Sequence, residues 1–353
     1  MIDDRGESLL VFEDLFTRVR NGNRSAEATT ENLRPVITRP SIGLVLGGGI
    51  ARGFAHIGVL RVLIANGIVP DVVVGTSIGA VVGGCYAGGQ IDALAEWACG
   101  LTTQKVFGYL DISLSGSGLI SGNRLATRLE AVLGNTRIEN LPTRFAAITT
   151  EIGTGHEIWL TRGRLVKALR ASYALPGVFA PISLGGKWLV DGTLVNPVPV
   201  SVARAFGARL VIAVNLNADL FGRGSTVASH GSDENDDRLV QEIERKRSGM
   251  RDIFAVEYLL KRKFVGATGR PGISTVMVEA FNVMQDRITR SRLAGDPPDV
   301  LITPRLHNIS SLDFHRGTEA IEIGAETTEK SIDSISEAIT ALSQPYGAND
   351  VAK

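Results

Sequence analysis

Cysteine is nearly missing from these 353 residues: only Cys85 and Cys99 occur, both in the apolar region that follows residue 77. Two such residues build no disulfide framework, so they read as reduced interior thiols and point to a cytoplasmic compartment. Net charge is missing as well. The 37 Lys and Arg offset the 37 Asp and Glu, so no overall field draws the chain to a polyanion, and nucleic acid is not an expected partner. Met1-Ile2-Asp3-Asp4-Arg5 has neither the basic end nor the apolar core of a secretory signal. Histidine is scarce: His56, His156, His230, His307 and His315 are all there are, and none stands where a triad base or metal ligand would. No metal and no cofactor are expected. One uncharged run, residues 72–89, has about the length of a membrane span, but its six glycines fit a buried strand, turn and helix better.

Glycine, by contrast, is plentiful, and it frames the most informative residue. Ser77 sits in Gly75-Thr76-Ser77-Ile78-Gly79, after Val72-Val73-Val74 and before Ala80-Val81-Val82. A buried strand, a serine between Gly75 and Gly79, and then a helix is how a chain presents a hydroxyl at a strained strand-to-helix turn. A side chain at either glycine would crowd that turn. The helix N-terminus behind the serine favours negative charge on oxygen.

Read for organisation, residues 1–38 form a polar arm, 39–342 a single folded domain and 343–353 a tail. Strands are expected at 44–46, 71–74, 145–152, 157–160, 188–190, 210–214 and 300–302, with helices at 54–65, 166–173 and 320–339. Ser121 reads as the N-cap of a helix ending at Gly134. Residues 218–250, with their acidic run Asp233-Glu234-Asn235-Asp236-Asp237, read as a mobile insertion. A helix at 254–264 follows, then one with Met277, Ala280, Phe281, Met284 and Ile288 on one face. The alternation implies an α/β fold with a largely parallel sheet covered on both sides.

Acyl transfer from serine needs an activated hydroxyl, a base and donors for the developing oxyanion. The loop Gly47-Gly48-Gly49-Ile50-Ala51-Arg52-Gly53 lies between a strand and a helix, and its N–H groups can converge on a negative oxygen. A dinucleotide turn would want G-x-G-x-x-G; the frame from Gly48 fails at Ile50 and the frame from Gly47 fails at Arg52. For the base, Asp191 in Trp188-Leu189-Val190-Asp191-Gly192-Thr193 is released from the end of an apolar strand. It has either an ordinary turn role or, given an apolar pocket that raises its pKa from about 4, the role of base. His56 reads as structural, and His230 lies in the insertion.

The ordered set Gly47 to Gly53 with Arg52, Ala55-His56-Ile57-Gly58-Val59-Leu60, Gly75-Thr76-Ser77-Ile78-Gly79, Leu175-Pro176-Gly177-Val178-Phe179-Ala180-Pro181 and Asp191-Gly192 resembles the bacterial patatin-like phospholipases. Within them it is nearest the branch that includes the neuropathy target esterase catalytic domain. Further matches at 288–295 and 312–316 extend the resemblance over about residues 40–342. It implies a three-layer α/β/α fold with a mainly parallel central sheet and hydrolysis of phospholipid or lysophospholipid esters. It also implies a Ser-Asp dyad without histidine: Ser77 as nucleophile, Asp191 as general base, and Gly48, Gly49 and Ile50 as the oxyanion loop, with Arg52 and Gly53 adjoining. The chain departs from the family at Ile50, where glycine is usual and where β-branching is expected to forbid a positive φ and to narrow the mouth of the site. It departs again at Thr193, where the aspartate motif commonly has a small residue.

Residues 245–263 place Arg245, Lys246, Arg247, Arg251, Lys261, Arg262 and Lys263 around Ile253, Phe254, Val256, Tyr258, Leu259 and Leu260. This segment reads as a peripheral membrane contact, a flap over the site or an ordinary surface helix. Two other functions compete with hydrolysis: a catalytically silent regulator on the same fold, and a nucleotide-binding oxidoreductase. Oligomeric state is not legible in the sequence.

Overall fold

The alternating pattern resolves into an eight-stranded sheet with helices in a computed structural model that describes residues 39–109, 122–219 and 273–343. In chain order the elements are β1 (Ile42–Leu46), a 3-10 turn (Ile50–Phe54), α1 (Ala55–Ala65), β2 (Val72–Thr76), α2 (Ile78–Ala87), α3 (Ile91–Cys99), α4 (Thr103–Tyr109) and α5 (Asn123–Leu133). Then come β3 (Arg144–Glu151), β4 (Glu157–Leu160), α6 (Leu165–Ser172), β5 (Ile182–Leu184), β6 (Lys187–Asp191) and a 3-10 turn (Gly192–Leu194). The chain continues through α7 (Val200–Ala205), β7 (Leu210–Val214), α8 (Ile273–Gly295), β8 (Val300–Ile302), α9 (Gly317–Glu329) and α10 (Ile332–Ser343). The expected arm, tail, 254–264 helix and 245–263 basic segment, the Ser121 cap and the insertion from residue 220 onward lie outside the described residues.

Strand order is β5-β6-β3-β2-β1-β7-β8, with β4 also paired to β3. The strands β3, β2, β1, β7 and the edge strand β8 run parallel. Because helices cover both faces, these strands read as unbroken apolar runs. Along β1 the side chains alternate between two cores. Leu44 and Leu46 join the layer of α1, α2 and α9, while Val45 joins Val198, Val200 and Val202 around α7. On the first face α1 and α9 cross at closest approach through Gly58 and Gly324. A Cβ on Gly58 would strike Ile321 O, and one on Gly324 would strike Ala55 O.

One pairing sets the position of everything discussed below. β2 runs along β3 until Thr76 pairs with Ile148. β6 then enters antiparallel, and its last residue, Asp191, pairs with Thr149. β4 overlaps both stretches of β3, so β2 and β6 share the opposite edge of β3 end to end. The chain can leave that edge at Ser77 and return to it at Asp191.

Two expectations fail. The single helix at 320–339 is two, α9 and α10, divided at Lys330 and Ser331, where Thr327, Thr328 and Ser331 turn their hydroxyls onto the carbonyls four residues back. Such local bonds compete with the helical ladder. On α8, Met277 and Met284 are exposed, and the buried face instead carries Asn282, Gln285, Asp286 and Thr289 together with Val278 and Phe281. The inward face is polar because it closes over a polar loop, described next.

Candidate active site

β2 delivers Ser77 into the backbone conformation φ 57°, ψ −124°, one of two non-glycine residues with positive φ among the described residues. Such a conformation costs on the order of 1–3 kcal/mol and persists only where its surroundings enforce it. Here Ser77 N–H donates to Ser172 Oγ at 3.0 Å, and the Ser172 hydroxyl donates to Ile148 O at 2.7 Å. Ala80 and Val81 N–H both bond Ser77 O. A Cβ at Gly79 would collide with Leu46 O, and one at Gly75 with the backbone of Ala80. Ile78 and Gly79 are the first residues of α2, so their N–H groups have no intrahelical acceptor.

The glycine loop crosses beside this turn. Gly47 N–H bonds Val214 O, Gly48 N–H bonds Pro197 O at 3.1 Å, and Ala51 N–H bonds Ser311 O. The Gly48 donor is therefore already engaged. Among the described residues, the N–H groups of Gly49 and Ile50 have no acceptor. Ile50 sits at φ 52°, contrary to the expectation from its β-branch. The anchors on its C-terminal side impose this: the Ala51–Ser311 bond, and an Arg52 guanidinium bonded to Ser311 Oγ at 2.7 Å and Asn282 Oδ1 at 3.4 Å.

Arg52 is buried, its pKa lowered by that burial to about 10. It is tied back to α8, and a Cβ at Gly53 would collide with Ile78. Asn217 Nδ2 donates to Gly48 O at 3.3 Å and to Gln285 Oε1 at 2.8 Å. His56 Nε2 lies 2.8 Å from Gly47 O, so that nitrogen carries the hydrogen; burial lowers its pKa to about 4. The ring is a neutral donor committed to the loop.

Asp191 ends β6 with 1% exposure. Its N–H bonds Ala174 O, and its carbonyl accepts from Thr150 Oγ1 at 2.9 Å. Oδ1 accepts from Thr193 N–H at 2.9 Å and from Thr193 Oγ1 at 2.6 Å. Burial pushes the carboxyl up from 3.8 to about 6, against the Ser77 and Thr193 hydroxyls, which pull it down. Ser77 is thus near enough to act on the carboxyl, yet Oδ2 has no bond of normal length and angle. No imidazole is among the groups acting on Asp191.

A cavity of about 410 Å³ is lined by Ile152, Pro176, Phe179, Pro181, Val190 and Leu194, with Thr150 and Glu151; neither Ser77 nor Asp191 is in its lining. Among the described residues no cluster of three or more His, Cys, Asp and Glu is placed to hold a metal, and no helix is long and apolar enough to cross a membrane. Residues 72–89 are β2, the Ser77 turn and α2.

Ser172, Asn217 and Gln285 carried no sequence signal: each is a common polar residue in an unremarkable stretch, and its role exists only through contacts far along the chain. Thr193 stood out as a departure from the family's motif, but nothing in the sequence assigned its hydroxyl to Asp191.

Comparison with known proteins agrees. The Patatin-like phospholipase family model matches residues 44–204. An uncharacterized NTE family protein of Mycobacterium tuberculosis is 31% identical over 335 residues, covering 84% of this chain and 92% of its own. Patatin-like phospholipase domain-containing protein 7 of Rattus norvegicus is 34% identical over 218 residues, 60% of this chain and 16% of its own. The crystal structure of VipD from Legionella pneumophila matches more loosely, with a TM-score of 0.38 and 13% identity over 84% of this chain and 67% of that one, and decides nothing here. With the mainly parallel sheet, the Ser77 turn and relatives spanning nearly its whole length, the chain belongs to the patatin-like phospholipase family of lipid acyl hydrolases.

Proposed function

We propose that the protein is a serine hydrolase of phospholipid or lysophospholipid acyl esters, with Ser77 as nucleophile and Asp191 as general base. Ser77 Oγ attacks the ester carbonyl carbon while its proton passes to Asp191 Oδ2. The tetrahedral oxyanion is met by the N–H groups of Gly49 and Ile50, with those of Ile78 and Gly79 at the helix N-terminus. The carbon–oxygen bond to the leaving alcohol then breaks, and that alcohol takes the proton from Asp191. Water then attacks the acyl-serine carbonyl and gives its proton to Asp191; the acyl–Oγ bond breaks, Ser77 Oγ takes the proton back from Asp191, and the fatty acid leaves. The apolar cavity beside Val190 and Leu194 suits an acyl chain.

One observation carries this reading: a strained, buried serine beside a buried carboxylate that burial has lifted to about 6. That is a base matched to near-neutral pH. The test is labelling by a fluorophosphonate. Wild type should react, Ser77→Ala should not, and Asp191→Asn should react at least about a hundredfold more slowly. Equal labelling of all three refutes the dyad. The catalytically silent alternative, prompted by Ile50, predicts no ester turnover by pure protein.

A further inference from the structure

We infer that Thr193 is a positioning residue of this site, holding one oxygen of Asp191 so that the other is left for Ser77 and setting the level of the glycine loop above the pair. The inference rests on the hydrolase reading. Three contacts support it. Thr193 gives two donors, Oγ1 at 2.6 Å and N–H at 2.9 Å, to the same atom, Asp191 Oδ1. Oδ2, equally buried, is left without a bond of normal geometry, so the carboxylate is turned with one side occupied and the other open. The threonine methyl lies directly under Gly48, where an added Cβ would collide with it and would come within 3.7 Å of Ser77 Cβ. One side chain therefore touches the carboxylate through its oxygen and the glycine loop through its carbon.

The backbone donor would exist with any residue at this position; the hydroxyl would not. A short hydrogen bond from a hydroxyl to an ionised carboxylate is among the stronger ones, and it favours the charged form. Charged side chains on the adjoining elements, namely Arg144 and Glu151 of β3, Lys187 of β6, Lys167 and Arg170 of α6, and Arg52 of the loop, are not among the influences on Asp191. Nor is the neutral His56, nor Cys85 and Tyr86 of α2. Beyond burial, hydrogen bonds from Ser77 and Thr193 act on the carboxyl among the described residues, so removing the Thr193 hydroxyl removes one of the groups that favour its charged form.

The experiment is the pH profile of kcat/KM on a p-nitrophenyl acyl ester for wild type, Thr193→Val and Thr193→Ser, with fluorophosphonate labelling rates over the same range. Thr193→Val keeps the shape and loses the donor. Its acid limb should move up by about half a pH unit or more, with kcat falling more than KM changes. Thr193→Ser restores the donor and should follow the wild-type limb. If the valine variant does not fold, Thr193→Ala takes its place. An active wild type whose acid limb is unmoved by valine, or a serine variant displaced as far as valine, overturns the role of Thr193 alone. A wild type that neither turns over ester nor labels at Ser77 overturns the hydrolase reading and this inference with it.

Discussion

Ser77 and Asp191, far apart in the chain, meet because one strand receives both: β3 pairs Ile148 with Thr76, the residue before the serine, and the next residue, Thr149, with Asp191. The parallel strand ends where the antiparallel one begins. The gap between them on that edge is where the hydroxyl and carboxylate are brought within reach. Ser172 closes the arrangement by accepting from Ser77 N–H and donating to Ile148 O.

Activity should follow the ionisation of Asp191. With the carboxyl lifted to about 6, kcat/KM on a neutral ester should rise through about pH 6 and level off above it. Asp191→Asn should lower the plateau by about a hundredfold to ten-thousandfold. A profile flat from pH 4.5 to 8 would show that a different group takes the serine proton.

Stability should run the other way. A folded pKa raised from 3.8 to about 6 means the folded state holds that proton more tightly, so the contribution is fully present below about pH 4 and lost as pH rises through 6. At pH 8 the buried carboxylate then costs on the order of 3 kcal/mol. His56, lowered from 6.5 to about 4, has the opposite sign: its contribution is present above 6.5 and lost as pH falls toward 4. Asp191→Asn should therefore melt higher than wild type at pH 8, with the gain gone by pH 4.

Gly48→Ala should lose at least about tenfold in kcat, because its Cβ collides with the Thr193 methyl. Combining it with Thr193→Ser, which removes that methyl, should recover most of the loss. Strictly additive effects in this double-mutant cycle would mean that the two residues do not press on each other.

Ser172→Ala should lower unfolding free energy by about 1–3 kcal/mol, since Ser77 N–H and Ile148 O are both left buried and unpaired. Labelling of Ser77 should fall with it. Wild-type stability to denaturant in this variant would show that water replaces the hydroxyl.

Much of this was legible in the chain. The apolar runs Val72-Val73-Val74 and Leu210 to Val214 mark buried parallel strands, and the glycines around Ser77 mark the turn. The α8 face was misread because Met277 and Met284 follow helical apolar spacing, whereas the inward side is chosen by Asn282 and Gln285 meeting Arg52 and Asn217. Ile50 was misjudged for a related reason: a local steric preference gave way to bonds from Ala51 and Arg52 to Ser311.

The sequence by itself determined the main buried strands and several of the helices, where the sharp turn falls, and which hydroxyl and carboxylate stand at strand ends, because these follow from local sterics and the period of apolar residues. The tertiary structure alone decided that β2 and β6 share one edge of β3, that Gly48 N–H is engaged while Gly49 and Ile50 N–H have no acceptor among the described residues, and that Asp191 is buried enough to reach about 6. Each of those depends on partners distant in the chain, and neither hydrogen-bond occupancy nor desolvation exists until those partners pack.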